Sequence, residues 1–289
     1  MPKIYKIFFI ISLVLMAMSV GLFLIYDLHL GIDFTGGSIL EVEFLKERPL
    51  INDVREALDS LNFTQISISE AGERGLILKM PEISEEIHQK ILTELKKFDE
   101  LEEKKFDSIG SVLGSDLKKK SVIAIVAALI LISIYLAIAF SKIGGTISPW
   151  VLALGAIVAL LHDLLLPMGI FVLLGKFKGV TIDAPMIAVA LTILGYSVND
   201  TVVIYDRIRE NIIKKTSGSF NEIIHKSIKQ VLYRSISTGF CAILMMISIY
   251  FFGGSSLKNF SLAFIIGIAS GAYSSIFVAS PILMLFHKK

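Results

Sequence analysis

Six long stretches of this 289-residue chain carry almost no charged side chains. About 20 apolar residues in a helix cross the ~30 Å hydrocarbon core of a membrane. Only 19% of the chain is charged and 54% is hydrophobic, whereas a soluble domain is about one quarter charged. The pattern predicts an α-helical membrane protein with six transmembrane helices. The stretches lie between residues 6 and 27, 120 and 142, 142 and 176, 183 and 206, 234 and 258, and 258 and 287.

The charged residues are concentrated in one segment. Residues 27–120 hold 13 of the 28 basic and 20 of the 26 acidic residues, which gives this segment a net charge of −7. It is therefore a polar domain inserted into an apolar chain. Its negative charge argues against nucleic acid as a partner, because phosphate binding needs a basic surface. The single cysteine, Cys241, has no partner for an internal disulfide.

The first apolar stretch is interpreted as a retained anchor, because it is longer than the apolar region of a signal peptide and lacks an A-x-A-like exit. The short loops on one side carry 12 basic residues, against three on the other. This bias predicts that both termini and a basic loop at 206–233 are cytoplasmic. The expected domains are 1–27, the cytoplasmic N-terminus and transmembrane helix 1; 28–118, a periplasmic domain; and 119–289, transmembrane helices 2 to 6.

Within residues 28–118 the hydrophobic period changes between two and 3.6 residues, as expected for strands and helices. The order β-α-β-β-α-β predicts a ferredoxin-like α+β domain, a fold that hosts many functions and fixes none. The sequence of this domain shows no nucleophile–base pair, metal-ligand cluster or phosphate-binding glycine loop. His88 is expected to be solvated on the polar side of its helix. The predicted strands are Ser38–Leu45, Thr64–Ser69, Gly75–Met80 and Phe106–Leu113, and the predicted helices are Ile51–Leu61 and Glu85–Phe98.

Asp200 is the clearest charged residue inside an apolar stretch. Counted from Pro185, it lies about 22 Å into the membrane, roughly 8 Å from the cytoplasmic boundary. Arg234 opens the fifth stretch at a similar depth, which predicts that the two residues pair and that the pair gates proton binding at Asp200. A static ion pair that only holds the helices together is the alternative. The predicted proton-relay residues are Asp200, Arg234, Thr238, Asn199 and Tyr196.

Asp163 and His162 lie in the third apolar stretch. Counted from Pro149, Asp163 is about 21 Å from the inner side, which predicts either a polar pocket near the outer mouth or a role in helix packing. Its estimated depth differs from that of Asp200 by ~13 Å. The dyad of an aspartyl protease shares one proton at about 3 Å, so this separation argues against an intramembrane protease. No enzymatic activity, metal or cofactor is expected.

Two further patterns concern architecture. Small residues recur every four positions from Ala263 to Ser275, which predicts a packing face for another helix of the bundle or for a partner. Ser219 and Glu222 match a capping box and precede apolar residues at helical spacing. This predicts an amphipathic helix on the cytoplasmic membrane surface that leads into Arg234.

Four motifs together carry a resemblance to a known family. They are Gly31-Ile-Asp-Phe-Thr-Gly-Gly37, His162-Asp163, the stretch from Asn199 to Asn211, and Arg234-Ser-Ile-Ser-Thr-Gly239. In this order the chain resembles, over nearly its whole length, the SecD/SecF family of protein-export membrane proteins in the resistance-nodulation-division superfamily. The Asp-Phe-Thr form of the first motif favours the SecF branch over the SecD branch. The residues that match this first motif are Gly31, Asp33, Phe34, Gly36 and Gly37.

The resemblance implies a subunit of the bacterial inner membrane that uses the proton motive force to promote the late, outer-side steps of protein export by the Sec translocase. It implies Asp200 as the proton carrier, with Arg234 as its partner. The implied binding partners are SecD, which would complete a bundle of six plus six helices, the SecYEG channel, YajC and unfolded secretory proteins. Two alternatives remain: a non-conducting scaffold of the translocase, and an exporter of small molecules or lipids of the same superfamily.

Overall fold

The structure is a computed structural model that describes residues 1–59, 66–141 and 148–286. The predicted helix end at Leu61, the predicted strand start at Thr64 and the basic residues Lys142, Lys288 and Lys289 lie outside the described residues. In chain order the elements are α1 (Lys3–Tyr26), α2 (Ile32–Thr35), β1 (Gly37–Phe44), α3 (Ile51–Asp59), β2 (Ser67–Ala71), β3 (Gly75–Met80), α4 (Glu85–Leu95), β4 (Leu101–Ile109), α5 (Ser111–Ala139), α6 (Pro149–Lys178), α7 (Ala184–Ile213), α8 (Phe220–Phe252), α9 (Ser255–Ser274), one turn of π-helix (Ser275–Ala279) and α10 (Ser280–Leu285).

The chain divides into two compact units, one of Met1–His29 with Val122–Lys289 and the other of Leu30–Ser121. Six helices among the described residues are long and apolar enough to cross a membrane, which agrees with the six predicted spans. The sixth, Leu257–Leu285, combines α9, the π-turn and α10. Half of the residues in the most apolar window of α6 and of the sixth span are buried, against 6% for α5. The third and sixth spans therefore form the centre of the helical unit.

Glycines allow the central helices to approach closely. A Cβ atom at Gly169 of α6 would lie 2.5 Å from the hydroxyl and 3.0 Å from the Cα of Ser19 in α1. On α9, a Cβ at Gly267 would clash with the side chain of Ile193, and one at Gly271 would lie 3.1 Å from the Cβ of Ser197. The predicted face of small residues therefore packs inside the unit, against α7.

Helix α8 runs without a break over 33 residues, about 50 Å at 1.5 Å per residue. The predicted capping box is confirmed at its start, where the Glu222 carboxylate accepts the Ser219 N–H at 2.7 Å. The prediction of a separate helix on the membrane surface is wrong. Ile224 and Ile228 are buried in the core of the helical unit, so the apolar face that was assigned to lipid packs against protein.

The second unit contains a four-stranded antiparallel sheet in the order β2-β3-β1-β4. Its elements follow one another as β1-α3-β2-β3-α4-β4, and the short helix α2 precedes them. Strand β1 alternates between fully and partly buried residues, because one of its faces packs on the core. The core residues that are at most 1% exposed are Leu40, Val42, Phe44, Val54, Leu58, Leu76, Leu78, Ile91 and Leu95.

Strand β4 differs from the prediction. It covers Leu101–Ile109 instead of Phe106–Leu113, and the residues from Ser111 onward belong to α5. The first half of the strand contains the charged run Glu102–Lys105, so it has no alternating apolar residues from which a strand could be predicted. Charged side chains are common on edge strands, where they discourage pairing with another chain. Strand β4 lies at the edge of the sheet, so its charged side chains agree with its position.

His88 is buried, with 3% of its surface exposed, so the prediction of a solvated histidine is wrong. Its ring stacks on Phe106 of β4 with 3.7 Å between the ring centroids. Its Nδ1 lies 3.1 Å from Glu85 Oε1, and its Nε2 lies 3.4 Å from Glu103 Oε1. Hydrogen bonds from Gln89 and then from His88 lower the pKa of the Glu85 carboxyl from its ordinary value. The side of α4 that the pattern marked as polar therefore faces β4.

Candidate intramembrane polar site

Asp200 lies on α7 with 3% of its surface exposed. Its Oδ2 is buried and accepts no hydrogen bond from the residues that the structure describes. A buried carboxylate oxygen without a donor is costly, because it has lost its water and gained no replacement. Protonation removes the charge, and contact with water restores a donor. Asp200 is therefore placed where it can bind a proton.

Helix α8 presents polar groups to this carboxylate. The Ser235 hydroxyl faces the Asp200 carboxyl closely enough to interact with it. No hydrogen bond of normal geometry joins the two, and the hydroxyl is buried without another partner among the described residues. The hydroxyl of Tyr196, one turn from Asp200 on α7, interacts with Thr238 but is likewise buried without a hydrogen bond of normal geometry among the described residues. It would lie 3.4 Å from a Cβ at Gly239. Buried polar atoms are almost always satisfied by protein or by water. Three such atoms at one helix contact therefore mark a place that suits water or a mobile proton.

Arg234 occupies a different position from the one predicted. It is exposed, and no ion pair within 4.0 Å joins it to Asp200 in the described parts of the chain. The reason is helical geometry, because Ser235 and Gly239 form the buried face of α8. Arg234 precedes Ser235 and so points about 100° away from it around the helix. The charge of Arg234 acts on Asp200 only over a longer range.

The remaining predicted relay residues are also placed by the structure. Thr238 donates its hydroxyl to the carbonyls of Arg234 at 2.9 Å and Ser235 at 3.1 Å, within its own helix. Asn199 is exposed on α7. Of the five predicted relay residues, Asp200 and Tyr196 thus lie at the α7–α8 contact with buried, unpartnered oxygen atoms, whereas Arg234, Thr238 and Asn199 are exposed.

Asp163 lies in a second polar cluster, in which three helices meet. Its Oδ2 accepts hydrogen bonds from Ser197 of α7 at 2.5 Å and from Ser274 of α9 at 2.6 Å. Its Oδ1 accepts one from Ser270 of α9 at 2.8 Å and lies 2.9 Å from His162 Nδ1. Asp163 and His162 are fully buried. Among the described residues both carboxylate oxygens of Asp163 are thus fully hydrogen-bonded.

The depth predicted for Asp163 needs correction. Its partner Ser197 precedes Asp200 by three residues, so the two aspartates differ in height by about 4.5 Å along α7 rather than by ~13 Å. The earlier estimate set Pro149 and Pro185 at the membrane boundaries, but α6 and α7 have 30 residues each, about 45 Å, and extend beyond a ~30 Å core. Asp163 is residue 15 of α6 and lies at mid-span, away from the outer mouth.

The corrected separation does not create a protease dyad. Asp200 is not among the hydrogen-bond partners that the structure gives to Asp163, whose oxygens are occupied by serine hydroxyls and by His162. A shared proton requires the two carboxylates to be in direct contact. The described residues contain no such contact between two aspartates at this depth.

The serines of both clusters were missed by sequence reasoning. Hydroxyl groups in apolar spans were counted as small packing residues, because small residues favour close helix contact. A usable signal was present: Ser270 and Ser274 are spaced by four and therefore share one face of α9, and Ser197 precedes Asp200 by almost one turn. Spans that carry an aspartate need donors, and serines on facing helices are the simplest source.

The motif at 31–37 forms a tight bend in the polar unit. Gly31 precedes α2, and Gly36 and Gly37 follow it with φ angles of 77° and 131°, which L residues rarely adopt. A Cβ at Gly36 would lie 2.6 Å from the Cα of Ser111. Phe34 is buried beside this bend. Gly36 and Gly37 are therefore required by the backbone itself.

Known proteins resemble both parts of the chain. The family described as "Protein export membrane protein SecD/SecF, C-terminal" matches residues 88–289, and the SecD/SecF GG motif matches residues 28–44. The protein translocase subunit SecF of Thermobaculum terrenum is 39% identical over 296 residues, with 98% of this chain and 92% of the relative covered. The first of these matches alone covers more than half of the chain.

Longer relatives also align. The protein translocase subunit SecDF of Brucella abortus is 35% identical, with 96% of this chain but 36% of the relative covered. The crystal structure of SecDF, a translocon-associated membrane protein from Thermus thermophilus, matches with a TM-score of 0.86 and 29% identity over 98% of this chain and 38% of that one. The chain thus has nearly the extent of a separate SecF subunit and just over a third of a SecDF chain. It belongs to the SecD/SecF family of protein-export membrane proteins.

Proposed function

We propose that this chain is a subunit of the Sec translocase that uses the proton gradient to promote the late, outer-side steps of protein export. One observation carries the proposal: a buried carboxylate oxygen of Asp200, near the middle of α7, accepts no hydrogen bond of normal geometry from the described residues, in a member of a protein-export family. One proton that crosses a potential of 100 mV releases about 2.3 kcal/mol. This is enough to shift an equilibrium between two helix packings, and no covalent step is part of the proposal.

Arg234 acts in this proposal as the gate. Its guanidinium is exposed and one helical position away from the face that meets Asp200. Rotation of α8 by about 100° brings that position onto the buried face. An arginine beside an aspartate favours the charged carboxylate, so this movement releases the proton, and the reverse movement allows the next one to bind.

The unit of residues 30–121 is proposed to be the ferredoxin-like periplasmic domain, with expected bounds of 28–118. Its element order and the strand order β4-β1-β3-β2 support this assignment. The charge bias of the short loops supports cytoplasmic termini, with four exposed lysines near the turn between α7 and α8. In this role the domain holds an emerging unfolded chain against backsliding. The four lysines are Lys214, Lys215, Lys226 and Lys229.

SecD is the proposed main partner. Only 6% of the apolar window of α5 and 17% of that of α8 are buried within this chain, so both helices offer apolar surface to a further helix bundle. The relatives named SecDF are single chains of which this chain covers just over a third, which supports a joint assembly of the two halves. The SecYEG channel, YajC and unfolded secretory proteins are proposed as partners on the strength of the family alone, and the bacterial inner membrane as the location.

The proposal is tested by Asp200→Asn in the assembled translocase, with Asp206→Asn as the matched control. Asp206 lies on the same helix, is exposed, and carries the same group. Export into membrane vesicles is measured with and without an uncoupler at equal subunit levels. We expect Asp200→Asn to lose the uncoupler-sensitive part of export and Asp206→Asn to keep it. Equal uncoupler-sensitive export in Asp200→Asn and wild type would instead support the non-conducting scaffold.

A further inference from the structure

Two aspartates lie near mid-span in the helical unit, and their surroundings differ. Asp163 accepts hydrogen bonds at both oxygens, whereas Oδ2 of Asp200 is buried without a donor among the described residues. Hydrogen bonds donated to a carboxylate stabilise its charged form. The two residues are therefore suited to different tasks: Asp163 to join helices through its hydrogen bonds, and Asp200 to exchange a proton.

The Asp163 cluster is not suited to a metal cation. The hydroxyls of Ser197, Ser274 and Ser270 approach the carboxylate to 2.5, 2.6 and 2.8 Å, which are hydrogen-bond distances. Each hydroxyl hydrogen thus points at the carboxylate, where a cation would have to sit. Among the described residues, no group of three or more His, Cys, Asp or Glu side chains is arranged for a metal.

The cluster joins three helices at one carboxylate. Asp163 and His162 come from α6, Ser197 from α7, and Ser270 and Ser274 from α9. A fully buried anion with four partners has one favourable arrangement, because each lost hydrogen bond leaves a buried charge less satisfied. The aromatic ring of Tyr273 stacks on His162 with centroids 5.8 Å apart and closes the cluster on that side.

The contact with Ser197 bears directly on Asp200. The two residues are three apart on α7, so the hydrogen bond to Asp163 fixes the height and the rotation of the turn that carries Asp200. Gly271 of α9 strengthens this constraint, because its missing side chain lets Ser197 approach until a Cβ would lie 3.1 Å away. A change at Asp163 therefore reaches Asp200 through less than one turn of helix.

The helices that hold Asp163 are interrupted beside it. Pro167 has no N–H, so the carbonyl of Asp163 receives no hydrogen bond from the residue four positions later in α6. In the sixth span the π-turn starts at Ser275, directly after Ser274. π-turns within helices are frequent at functional sites. Both helices are thus locally weaker in backbone bonding at the point where the carboxylate network joins them.

We propose that Asp163 is the positioning residue of the proton site: a fully hydrogen-bonded carboxyl group in the middle of α6 that holds α6, α7 and α9 together so that Asp200 faces α8. This inference rests on the proposed function of Asp200. It assigns no proton transfer to Asp163. It also gives Ser197, Ser270 and Ser274 a joint role, since each donates a hydrogen bond to the same carboxylate.

Four variants in the full chain, assembled in its native membrane, test the proposal. Asp163→Asn removes the charge and keeps the shape, and Ser197→Ala and Ser274→Ala each remove one donor. The matched control is Ser261→Ala, because Ser261 is also fully buried on α9 but donates to the carbonyl of Leu257 in its own helix at 2.7 Å. Uncoupler-sensitive export is measured at equal subunit levels. We expect at least about a threefold loss in the first three variants, a factor that corresponds to about 0.7 kcal/mol, and none in Ser261→Ala.

Infrared difference spectroscopy supplies a readout that a purely structural role would not move. On acidification, exposed carboxyl groups should add carbonyl absorption in every variant. Wild type should gain in addition the band of a protonated carboxylic acid in an apolar environment, and Asp200→Asn should lack that band. In Asp163→Asn this band should persist, since the proposal assigns no proton to Asp163, but at a shifted frequency, since the surroundings of Asp200 change. Ser197→Ala should shift it as well, and Ser261→Ala should not.

The outcomes separate the two proposals. Loss of the acid absorption in Asp163→Asn would show that Asp163 itself binds the proton and would overturn the inference. Unchanged export and absorption in Ser197→Ala and Asp163→Asn would overturn it as well, while a defect in Asp200→Asn would leave the proposed function standing. If Asp163→Asn does not accumulate, Ser197→Ala and Ser274→Ala test the proposal in its place. Each of them removes a single hydroxyl and is therefore a smaller change to the fold.

Discussion

Tyr5 of α1 and His225 of α8 are joined by a hydrogen bond of 2.8 Å although 220 residues separate them in sequence. Their rings meet edge to face with 5.9 Å between the centroids, and Tyr5 is 4% exposed. The bond connects the first turn of α1 to the second turn of α8, before the chain reaches Ser235. The start of the chain is thus attached to the helix that faces Asp200.

Tyr5→Phe should destabilise the helical unit by about 0.5–1.5 kcal/mol, because it removes this hydrogen bond and keeps the ring. The measurement is the thermal unfolding midpoint of the purified chain in detergent. Tyr135→Phe is the control, since Tyr135 is 60% exposed on α5. Equal midpoints for Tyr5→Phe and Tyr135→Phe would contradict a stabilising role for the bond.

Gly169→Ala should separate α1 from α6, because the new Cβ would lie 2.8 Å from the Cβ and 3.0 Å from the Cα of Ser19. Overpacking of this kind typically costs about 1–3 kcal/mol. Gly195→Ala is the matched control on α7, where a Cβ meets nothing within 4 Å. It should be neutral or stabilising by up to about 1 kcal/mol, since alanine favours the helix over glycine. The thermal midpoint of Gly169→Ala should therefore fall, and that of Gly195→Ala should rise or stay unchanged. A Gly169→Ala chain as stable as wild type would refute the close packing.

The polar unit should lose stability on acidification. Hydrogen bonds from Gln89 at 2.7 Å and His88 at 3.1 Å lower the pKa of Glu85 from its ordinary value of 4.5. A carboxyl whose pKa is lower in the folded state adds stability above its unfolded pKa and loses it as the pH falls through the folded value. Hydrogen exchange of the backbone amides in residues 85–109 of the full chain, corrected for the intrinsic pH dependence of exchange, should therefore accelerate below about pH 4.5.

The same measurement on Glu85→Gln isolates the contribution of this carboxyl. The variant should exchange faster than wild type near neutral pH, and the gap should close as the pH falls, because wild type then loses the charge that the variant never had. Glu47→Gln, at an exposed position of the same unit, serves as the control. A gap that stays constant across the pH range would argue against the assigned hydrogen bonds.

The sequence predicted what depends on local pattern. Apolar length gave the six spans, since the membrane thickness fixes how many residues are needed. Strand β3 has the predicted bounds, because Leu76, Leu78 and Met80 place an apolar side chain on one face at every second position. The capping box at Ser219 was also readable, since it needs only two residues three apart.

Contacts between helices could not be read in the same way. Helical depth places Arg234 near Asp200, but only the packing of α8 on α7 decides that Ser235 faces inward and Arg234 outward. The surroundings of Asp163 depend on where α6 sits against α9, which no local period records. His88 was misjudged for a related reason, because its partner Phe106 belongs to a strand whose first half is charged.

The unbroken course of α8 has a mechanical consequence. A helix of 33 residues that is capped at Ser219 and continuous to Phe252 has no joint in which a displacement could be absorbed. A displacement of the turn at residues 214–219 would therefore also move the part of α8 that lies at the level of the buried carboxylates. A protein that binds only this turn would in this way act on the proposed proton site some 20 Å away, at about 1.5 Å of rise per residue.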